Sequence, residues 1–231
     1  MNATSQRRMN RPIQSLGRRV QSGFAGIVVL AWLAAGQGQD ARVAVSDFAG
    51  SGLTEWKERS FKGHSEYHLA EDNGTNVIVA QSRSTASGLY REIQVDLRHT
   101  PYLNWSWRVD RPLPPTNERT RSGDDFAARL YVVKDGGIAF WRTRAVNYVW
   151  SGSQPEGSEW PNPFTDRAMM HAQRGANDSG WKREKRNVRE DLLRLFGEEI
   201  DQIDAVAIMS DTDNTGGEAD AWYGEIWFSE R

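Results

Sequence analysis

A strict alternation of apolar and polar residues runs through Leu103-Asn104-Trp105-Ser106-Trp107-Arg108-Val109. Successive side chains of a β-strand point to opposite faces of its sheet, so the pattern predicts a strand with one buried and one polar face. Trp107 should enter the core, and Arg108 should leave it. Such half-buried strands are typical of antiparallel sheets that pack on one side only.

Similar segments, alternating or rich in β-branched residues, lie on both sides of this stretch and are separated by turn residues. Asp72-Asn73-Gly74 and Asp135-Gly136-Gly137 predict two hairpin turns. The predicted strands are Ser65–Ala70, Asn76–Gln81, Leu89–Leu97, Tyr102–Val109, Phe126–Val133, Ile138–Trp150, Ala168–Gln173, Ile203–Ser210 and Ala221–Ser229.

One segment has helical periodicity. Asn187 is placed to cap a helix over Val188–Glu199, with Leu192 and Phe196 on one face. About nine strands, one helix, no βαβ alternation and no repeat predict an all-β fold. We expect an antiparallel β-sandwich, jelly-roll-like, with one short helix near residues 188–199.

Alternation also assigns faces in two further strands. On the strand that begins near Phe126, the second, non-core face should hold Arg129 and Tyr131. On the last strand, the core face should hold Trp222 and Phe228. Several strands therefore offer charged or aromatic side chains on a second face.

The N-terminus has the pattern of an export signal. Five arginines and no acidic residue precede the apolar run Phe24–Ala35. A membrane-spanning helix needs about 20 apolar residues, and this run is shorter. We therefore predict a cleaved signal peptide at residues 1–38, a single mature domain at residues 40–231 without a membrane span, and a periplasmic or secreted location.

The charge composition argues against nucleic acid as a binding partner. The chain has 29 basic and 31 acidic residues, and removal of five leader arginines leaves 24 against 31, a net charge of −7. An acidic domain is poorly suited to the phosphate backbone, so nucleic acid is not an expected partner. The absence of cysteine excludes disulfides, so the fold must be held by its core.

Six segments together resemble the uncharacterised bacterial family catalogued as domain of unknown function three thousand forty-seven. They are Ala86-Ser87-Gly88-Leu89, Trp105-Ser106-Trp107-Arg108-Val109, residues 123–132, Asn147-Tyr148-Val149-Trp150, Trp160-Pro161-Asn162-Pro163 and residues 207–215. Ser210 departs from the pattern, where Thr is expected. The family is similar in layout to galactose-binding-like jelly rolls, which include carbohydrate-binding modules and the complex I intermediate-associated proteins; the resemblance implies such a fold.

Residues 211–216 form an acidic, amide-rich turn of the kind that supplies oxygen ligands to calcium. The turn is not an EF-hand, because its twelfth position is Trp222 instead of Glu. We predict a calcium site of another type made by Asp211, Asp213 and Asn214. The alternative is a polar turn whose side chains bond to their own backbone.

The loop from Trp150 to Phe164 combines aromatic and polar residues, and sugars stack on indole rings while their hydroxyls need polar partners. We predict a non-catalytic domain that binds a glycan or cell-envelope saccharide. The alternative for Trp150 and Trp160 is that they cover one end of the sandwich. The predicted ligand contacts are Arg108, Asp125, Arg129, Asn147, Trp150, Trp160, Asp211, Asp213 and Asn214.

Two other functions stay open at this point. A polysaccharide hydrolase or lyase would use Asp125, Asp211 or Asp213 as acid and base, with Arg129 nearby. An envelope assembly or protein-interaction domain would have no small ligand. No nucleophile elbow or phosphate-binding loop occurs in the sequence to favour an enzyme.

Overall fold

The computed structural model describes residues 41–139 and 142–231, and the predicted signal peptide lies outside this part of the chain. The described residues form thirteen strands and one α-helix. The strands are β1 (Arg42–Ala44), β2 (Lys57–Lys62), β3 (Glu66–Asp72), β4 (Thr75–Arg83), β5 (Ala86–Asp96), β6 (Tyr102–Arg111), β7 (Arg129–Lys134), β8 (Arg144–Trp150), β9 (Glu159–Asn162), β10 (Thr165–Arg174), β11 (Lys182–Asn187), β12 (Gln202–Asp211) and β13 (Glu218–Ser229). The helix α1 spans Val188–Phe196, and a short 3₁₀ turn spans Arg121–Gly123.

The strands form two sheets. The first has the order β11-β6-β13-β4-β3, with β1 also beside β13, and the second has the order β2-β5-β12-β7-β8-β10-β9. This arrangement confirms the predicted β-sandwich with one short helix. In the described part of the chain, β8 and β10 are the only parallel pair. They are parallel because β9 lies at the sheet edge antiparallel to β10, so the chain reverses between β9 and β10 and again runs in the direction of β8.

The core lies between the sheets and is rich in aromatic rings. Trp105 and Trp107 on β6 are buried, and their ring centres lie 5.4 Å apart in an edge-to-face contact. Tyr148 on β8 lies 5.3 Å from Trp105 and joins the two layers. Arg108 points away from this core, as the alternation in β6 predicts.

Two predicted strands begin later than expected. Residues 126–128 are not in β7, because the backbone of Phe126 is bonded to Asp211: its amide faces the carboxylate, and its carbonyl accepts the Asp211 amide at 3.1 Å. Ile138 is fully exposed in a turn, and the Arg142 amide bonds back to the carbonyl of Ala139 at 2.8 Å. The strand predicted over Ile138–Trp150 is therefore confined to β8, and its residues 140 and 141 lie outside the described part.

The helix is shorter than predicted at its C-terminal end. Asn187 caps it by accepting the amide of Glu190 at 3.3 Å. Gly197 adopts the left-handed conformation, with φ 69°, and its amide bonds to Leu193. This cap ends α1 at Phe196 instead of Glu199. None of the helices in the described residues is both long enough and apolar enough to span a membrane.

The predicted core position of Trp222 is wrong. Tyr223 is buried in the core, whereas Trp222 is half-buried on the outer face. The register between β13 and β6 shifts between Tyr223 and Ile226, and this irregularity inverts the alternation upstream of it. Gly224 lies in the irregular stretch, where an added Cβ would be 2.2 Å from the Ser106 hydroxyl.

Four strands were not predicted, and three of them lie at sheet edges. β2 and β11 have the sequences KERSFK and KREKRN, which carry many charges and little apolar alternation. Charged residues on edge strands discourage pairing with other molecules. The same charges hide these strands from a search for hydrophobic periodicity.

Candidate functional site

Five of the nine predicted contacts come together where β12 ends and β7 begins. They are Asp125, Arg129, Asp211, Asp213 and Asn214. The antiparallel register places Met209 opposite Arg129, so Asp211 lies just beyond the start of β7. We call Asp125, Asp211 and Asp213 the aspartate cluster.

Arg129 binds Asp211 through two nitrogens. Its Nε donates to Asp211 Oδ1 at 2.7 Å, and its Nη2 donates to Oδ2. Asp124 contacts the guanidinium with both its backbone carbonyl and its carboxylate, and the ring centre of Phe126 lies 4.4 Å from the guanidinium carbon. All four residues are buried, so a charged pair is enclosed by the protein instead of solvent.

Burial is the largest influence on the pKa values of the two carboxylates beside Arg129. It raises the pKa of Asp211 to about 7 against the opposing charge of Arg129. It likewise raises the pKa of Asp124. One guanidinium here serves two carboxylates, so neither carboxylate is fully compensated. Removal of one partner from a buried charge pair typically costs about 3–5 kcal/mol.

Asp125 holds the acidic turn in place. Its Oδ2 accepts the amide of Thr215 at 2.7 Å, and its Oδ1 accepts both the amide and the side-chain nitrogen of Asn214, at 3.2 and 3.1 Å. Asp125 and Asp211 are 3% and 2% exposed. A catalytic acid or nucleophile must touch its substrate, so Asp125 and Asp211 lack the access that the hydrolase or lyase alternative requires, whereas its third candidate, Asp213, is half-buried.

Oxygen atoms of Asp125, Asp211 and Asp213 lie within 4.8 Å of one another. Three carboxylates suit a hard cation such as calcium. The predicted set contained Asn214 in place of Asp125, and Asn214 here donates to Asp125 and Asp213. Both oxygens of Asp211 bond to Arg129, so a cation would compete with the guanidinium, and calcium binding stays a prediction.

Arg108 does not join this group, because β6 belongs to the other sheet. Its guanidinium carbon lies 4.3 Å from the ring centre of Trp222 and 5.3 Å from that of Trp181. Asp72 accepts from both Arg108 and Trp181, at 3.1 and 2.6 Å. Arg108 is therefore part of a packed polar cluster on the outer face of the first sheet.

The two predicted stacking tryptophans are interior residues. Trp150 is 2% exposed and lies 5.8 Å from Trp107 in the core. Trp160 is also 2% exposed and packs with Phe126 in a second, smaller cluster. Asn147 is 1% exposed. None of these side chains offers a solvent-facing surface for a sugar ring.

A groove instead lies on the outer face of the second sheet, with a volume of about 1030 Å³. We call it the outer-face groove. It is formed by β2, β5, β12, β7 and the loop after β7. Its lining residues are Glu58, Arg59, Phe61, Gly88, Tyr90, Glu92, Gln94, Tyr131, Val133, Lys134, Asp135, Gly137, Thr143, Gln202, Asp204, Ala205, Ala207, Ile208 and Met209.

Two tyrosines face each other across the groove floor. Ala207 on β12 is paired with Tyr90 on one side and with Tyr131 on the other. Neighbouring strands are about 4.8 Å apart, which separates the two tyrosine backbones by about 10 Å. The methyl group of Ala207 keeps the floor low between the rings, and the Tyr131 hydroxyl donates to Met209 Sδ at 3.3 Å.

Polar groups surround these rings. Lys57 pairs with Glu92 at 2.8 Å across the strands, and Lys134 pairs with Asp204 at 2.8 Å. The exposed side chains of these ion pairs are solvated, so breaking an ion pair here costs little free energy. The groove thus combines partly exposed aromatic rings with a rim of hydrogen-bonding groups.

The groove and the aspartate cluster lie on one sheet face. Along β12 the outward positions are Ala207, Met209 and Asp211, since Val206 and Ile208 point into the core. Alternation in the sequence predicts that Tyr131 lies on this outer face, but it does not reveal the rest of the groove. The strand β2, which supplies one side of the groove, has no alternation to reveal it.

Fold and site together define a two-sheet β-sandwich protein with a groove on one outer face. The chain belongs to the family described as "Protein of unknown function (DUF3047)", which matches residues 54–227. No curated protein matches the sequence.

Solved structures with a similar fold include two carbohydrate-binding modules and a xyloglucanase domain. The family 11 carbohydrate-binding module of the cellulase Lic26A-Cel5E of Clostridium thermocellum is 10% identical, with 83% of this chain and 96% of that chain covered and a TM-score of 0.46. The family 30 module of Cel9D-Cel44B from the same organism is 11% identical, with 83% and 94% covered and a TM-score of 0.45. The xyloglucanase domain of NopAA from Sinorhizobium fredii is 8% identical, with 82% and 97% covered and a TM-score of 0.44. The likeness concerns the fold alone.

Proposed function

We propose that this protein binds a glycan chain, without cleaving it, in the outer-face groove. The observation that carries the proposal is the pair Tyr90 and Tyr131, which flank Ala207 on an open sheet face. Sugar rings have apolar faces that pack on aromatic side chains, and their hydroxyls bond to polar neighbours. The groove supplies both kinds of contact along a line that crosses four strands.

Groove size also fits an oligosaccharide. Small-molecule sites commonly occupy about 300–1,000 Å³, and this groove, at about 1030 Å³, is slightly larger. It is open and lined by polar as well as aromatic residues, as an extended hydroxylated chain requires. Glu92, Gln94 and Gln202 offer donors and acceptors beside the rings.

The direct test is a binding screen with the mature domain against neutral and acidic plant and bacterial oligosaccharides. Tyr90→Ala and Tyr131→Ala should each weaken the binding of any hit by about tenfold, as is common for aromatic anchors. Tyr102→Ala is the matched control, because Tyr102 is a half-exposed tyrosine on the other sheet, beneath Lys185. Equal affinity in all three variants, or no binding to any saccharide, would contradict the proposal.

We also propose that the protein acts outside the cytoplasm. The support is the arginine-rich, apolar leader at residues 1–38. Fractionation of cells that express the full chain should recover a shortened protein from the periplasm or medium. Recovery of the full-length chain in the cytoplasm would contradict export and leave the binding proposal intact.

A further inference from the structure

Arg59 occupies one side of the outer-face groove. It lies on the edge strand β2, directly opposite Gly88 of β5, and both residues line the groove. Its guanidinium carbon is 5.3 Å from the ring centre of Phe61, which is 65% exposed. Stacking on this ring orients the guanidinium at the rim.

The charge of Arg59 is not compensated by the protein. The other charged groups nearby form pairs: Glu92 with Lys57, Asp204 with Lys134, and Glu58 with His64. In residues 41–139 and 142–231, no carboxylate lies within ion-pair distance of Arg59. Arg59 is therefore the one groove-lining cation of the described chain that has no ion pair.

Gly88 leaves the surface beside Arg59 open. A Cβ at this position would lie 2.9 Å from the carbonyl oxygen of Ile208 and 3.2 Å from the Met209 Cβ, so a side chain does not fit without a shift. Between Arg59 and Met209 the sheet thus has bare backbone. A ligand can approach the guanidinium there from the groove floor.

Resting on the proposed function, we infer that Arg59 binds a carboxylate of the glycan, so the ligand is a mainly neutral chain with isolated uronic acids. A guanidinium binds a planar carboxylate with two parallel hydrogen bonds. One unpaired cation matches one carboxylate. A polyuronate is disfavoured because four acids line the groove, Glu58, Glu92, Asp135 and Asp204, against two cations, Arg59 and Lys134, so the lining has a negative net charge.

The test uses ligands that differ in one group. Oligosaccharides with xylan, galactan or glucan backbones and a single uronic acid are compared, by calorimetry, with the same molecules after reduction of the carboxylate to an alcohol. The acidic member of at least one pair should bind about tenfold more tightly, as expected for hydrogen bonds to a charged group. The difference should shrink as salt is raised.

Variants assign the effect to Arg59. Arg59→Gln should abolish the difference in affinity between the two ligands by weakening the binding of the acidic one, whereas Arg59→Lys should retain part of this difference. Arg183→Gln is the matched control, because Arg183 is an exposed arginine on the edge strand β11 of the other sheet. It should bind both ligands as the original protein does.

Several outcomes would overturn the inference. Equal binding of acidic and reduced ligands, or a preference that survives Arg59→Gln, would remove Arg59 from recognition and leave glycan binding in place. Tighter binding of a polygalacturonate, or of a sulfated oligosaccharide, would replace isolated carboxylates with another anion pattern. No binding of any saccharide would refute both this inference and the proposed function.

Discussion

The outer-face groove and the aspartate cluster share strands β7 and β12 but differ in how their polar groups are satisfied. In the cluster, Asp125, Arg129 and Asp211 are buried and bonded to one another or to backbone. In the groove, Tyr90 and Tyr131 are partly exposed beside solvated ion pairs. Sequence alone favours the cluster as a site, because acids and an arginine stand out. Burial instead indicates that the cluster supports the end of the sheet, and we propose the groove as the ligand-binding surface.

The largest effect should come from the cluster. Arg129→Met removes the cation that Asp124 and Asp211 share and leaves two buried carboxylates without it. We expect the free energy of unfolding to fall by about 3–5 kcal/mol, measured by urea denaturation. The double variant Arg129→Met, Asp211→Asn should recover part of the loss. A change below about 1 kcal/mol would show that the cluster is not a structural element.

A second buried carboxylate, that of Asp191 on α1, tests how the hydrogen-bond partners of a buried acid change the pH dependence of stability. Burial opposes ionisation of Asp191, but hydrogen bonds from Arg186, Tyr148 and Arg194 outweigh it and lower its pKa. The unfolded chain then binds the proton more readily, so this stability is present above about pH 4 and is lost as pH falls further. Asp191→Asn should lower stability at pH 7 by about 1–3 kcal/mol.

The same variant should flatten the acid limb of the stability profile, which denaturation at pH 2.5 to 7 would reveal. Arg189→Gln is the control, since Arg189 makes an exposed pair with Asp201 in the same region. An acid limb that is unchanged in Asp191→Asn would mean that other carboxylates set it.

In the groove, stability and binding should separate. Tyr131→Phe removes the hydroxyl that donates to Met209 but keeps the ring. We expect glycan affinity to change by less than about threefold, because the ring face carries the contact. Tyr131→Ala should lose about tenfold. Similar losses in both variants, by calorimetry, would assign binding to the hydroxyl.

The smallest effect should be that of calcium. Because Arg129 already bonds both oxygens of Asp211, we expect millimolar calcium to raise the melting temperature by no more than about 2 °C, which corresponds to weak binding. Magnesium and a chelator serve as controls in the same thermal scan. A large rise that Asp213→Ala abolishes would establish the calcium site predicted from the acidic turn.

Local alternation predicts the sandwich because most inner strands show it. It places Trp107 inside and Arg108 outside, and it fails at Trp222 because the irregular register near Gly224 has no apolar signature. The groove could not be predicted in full. Arg59 lies on a charged edge strand, and the position of Tyr90 and Tyr131 on either side of Ala207 depends on strand order, which alternation does not specify.

The predicted sugar contacts Trp150 and Trp160 are buried, and the sequence does not reveal this. Trp150 and Trp160 border a loop rich in Gly, Pro and Ser, which favours a surface position. Their burial follows from packing between distant elements: Trp150 against β6, and Trp160 against Phe126. Residue type and loop context do not contain this information.

We propose that the glycan binds in the outer-face groove, and not at the aspartate cluster or on the first sheet. Nuclear magnetic resonance of the labelled mature domain, titrated with the tightest saccharide of the screen, would locate the binding surface. We expect chemical-shift changes concentrated at Arg59, Tyr90, Tyr131 and Ala207. Shifts concentrated instead around Arg108, Trp181 and Trp222 would contradict it.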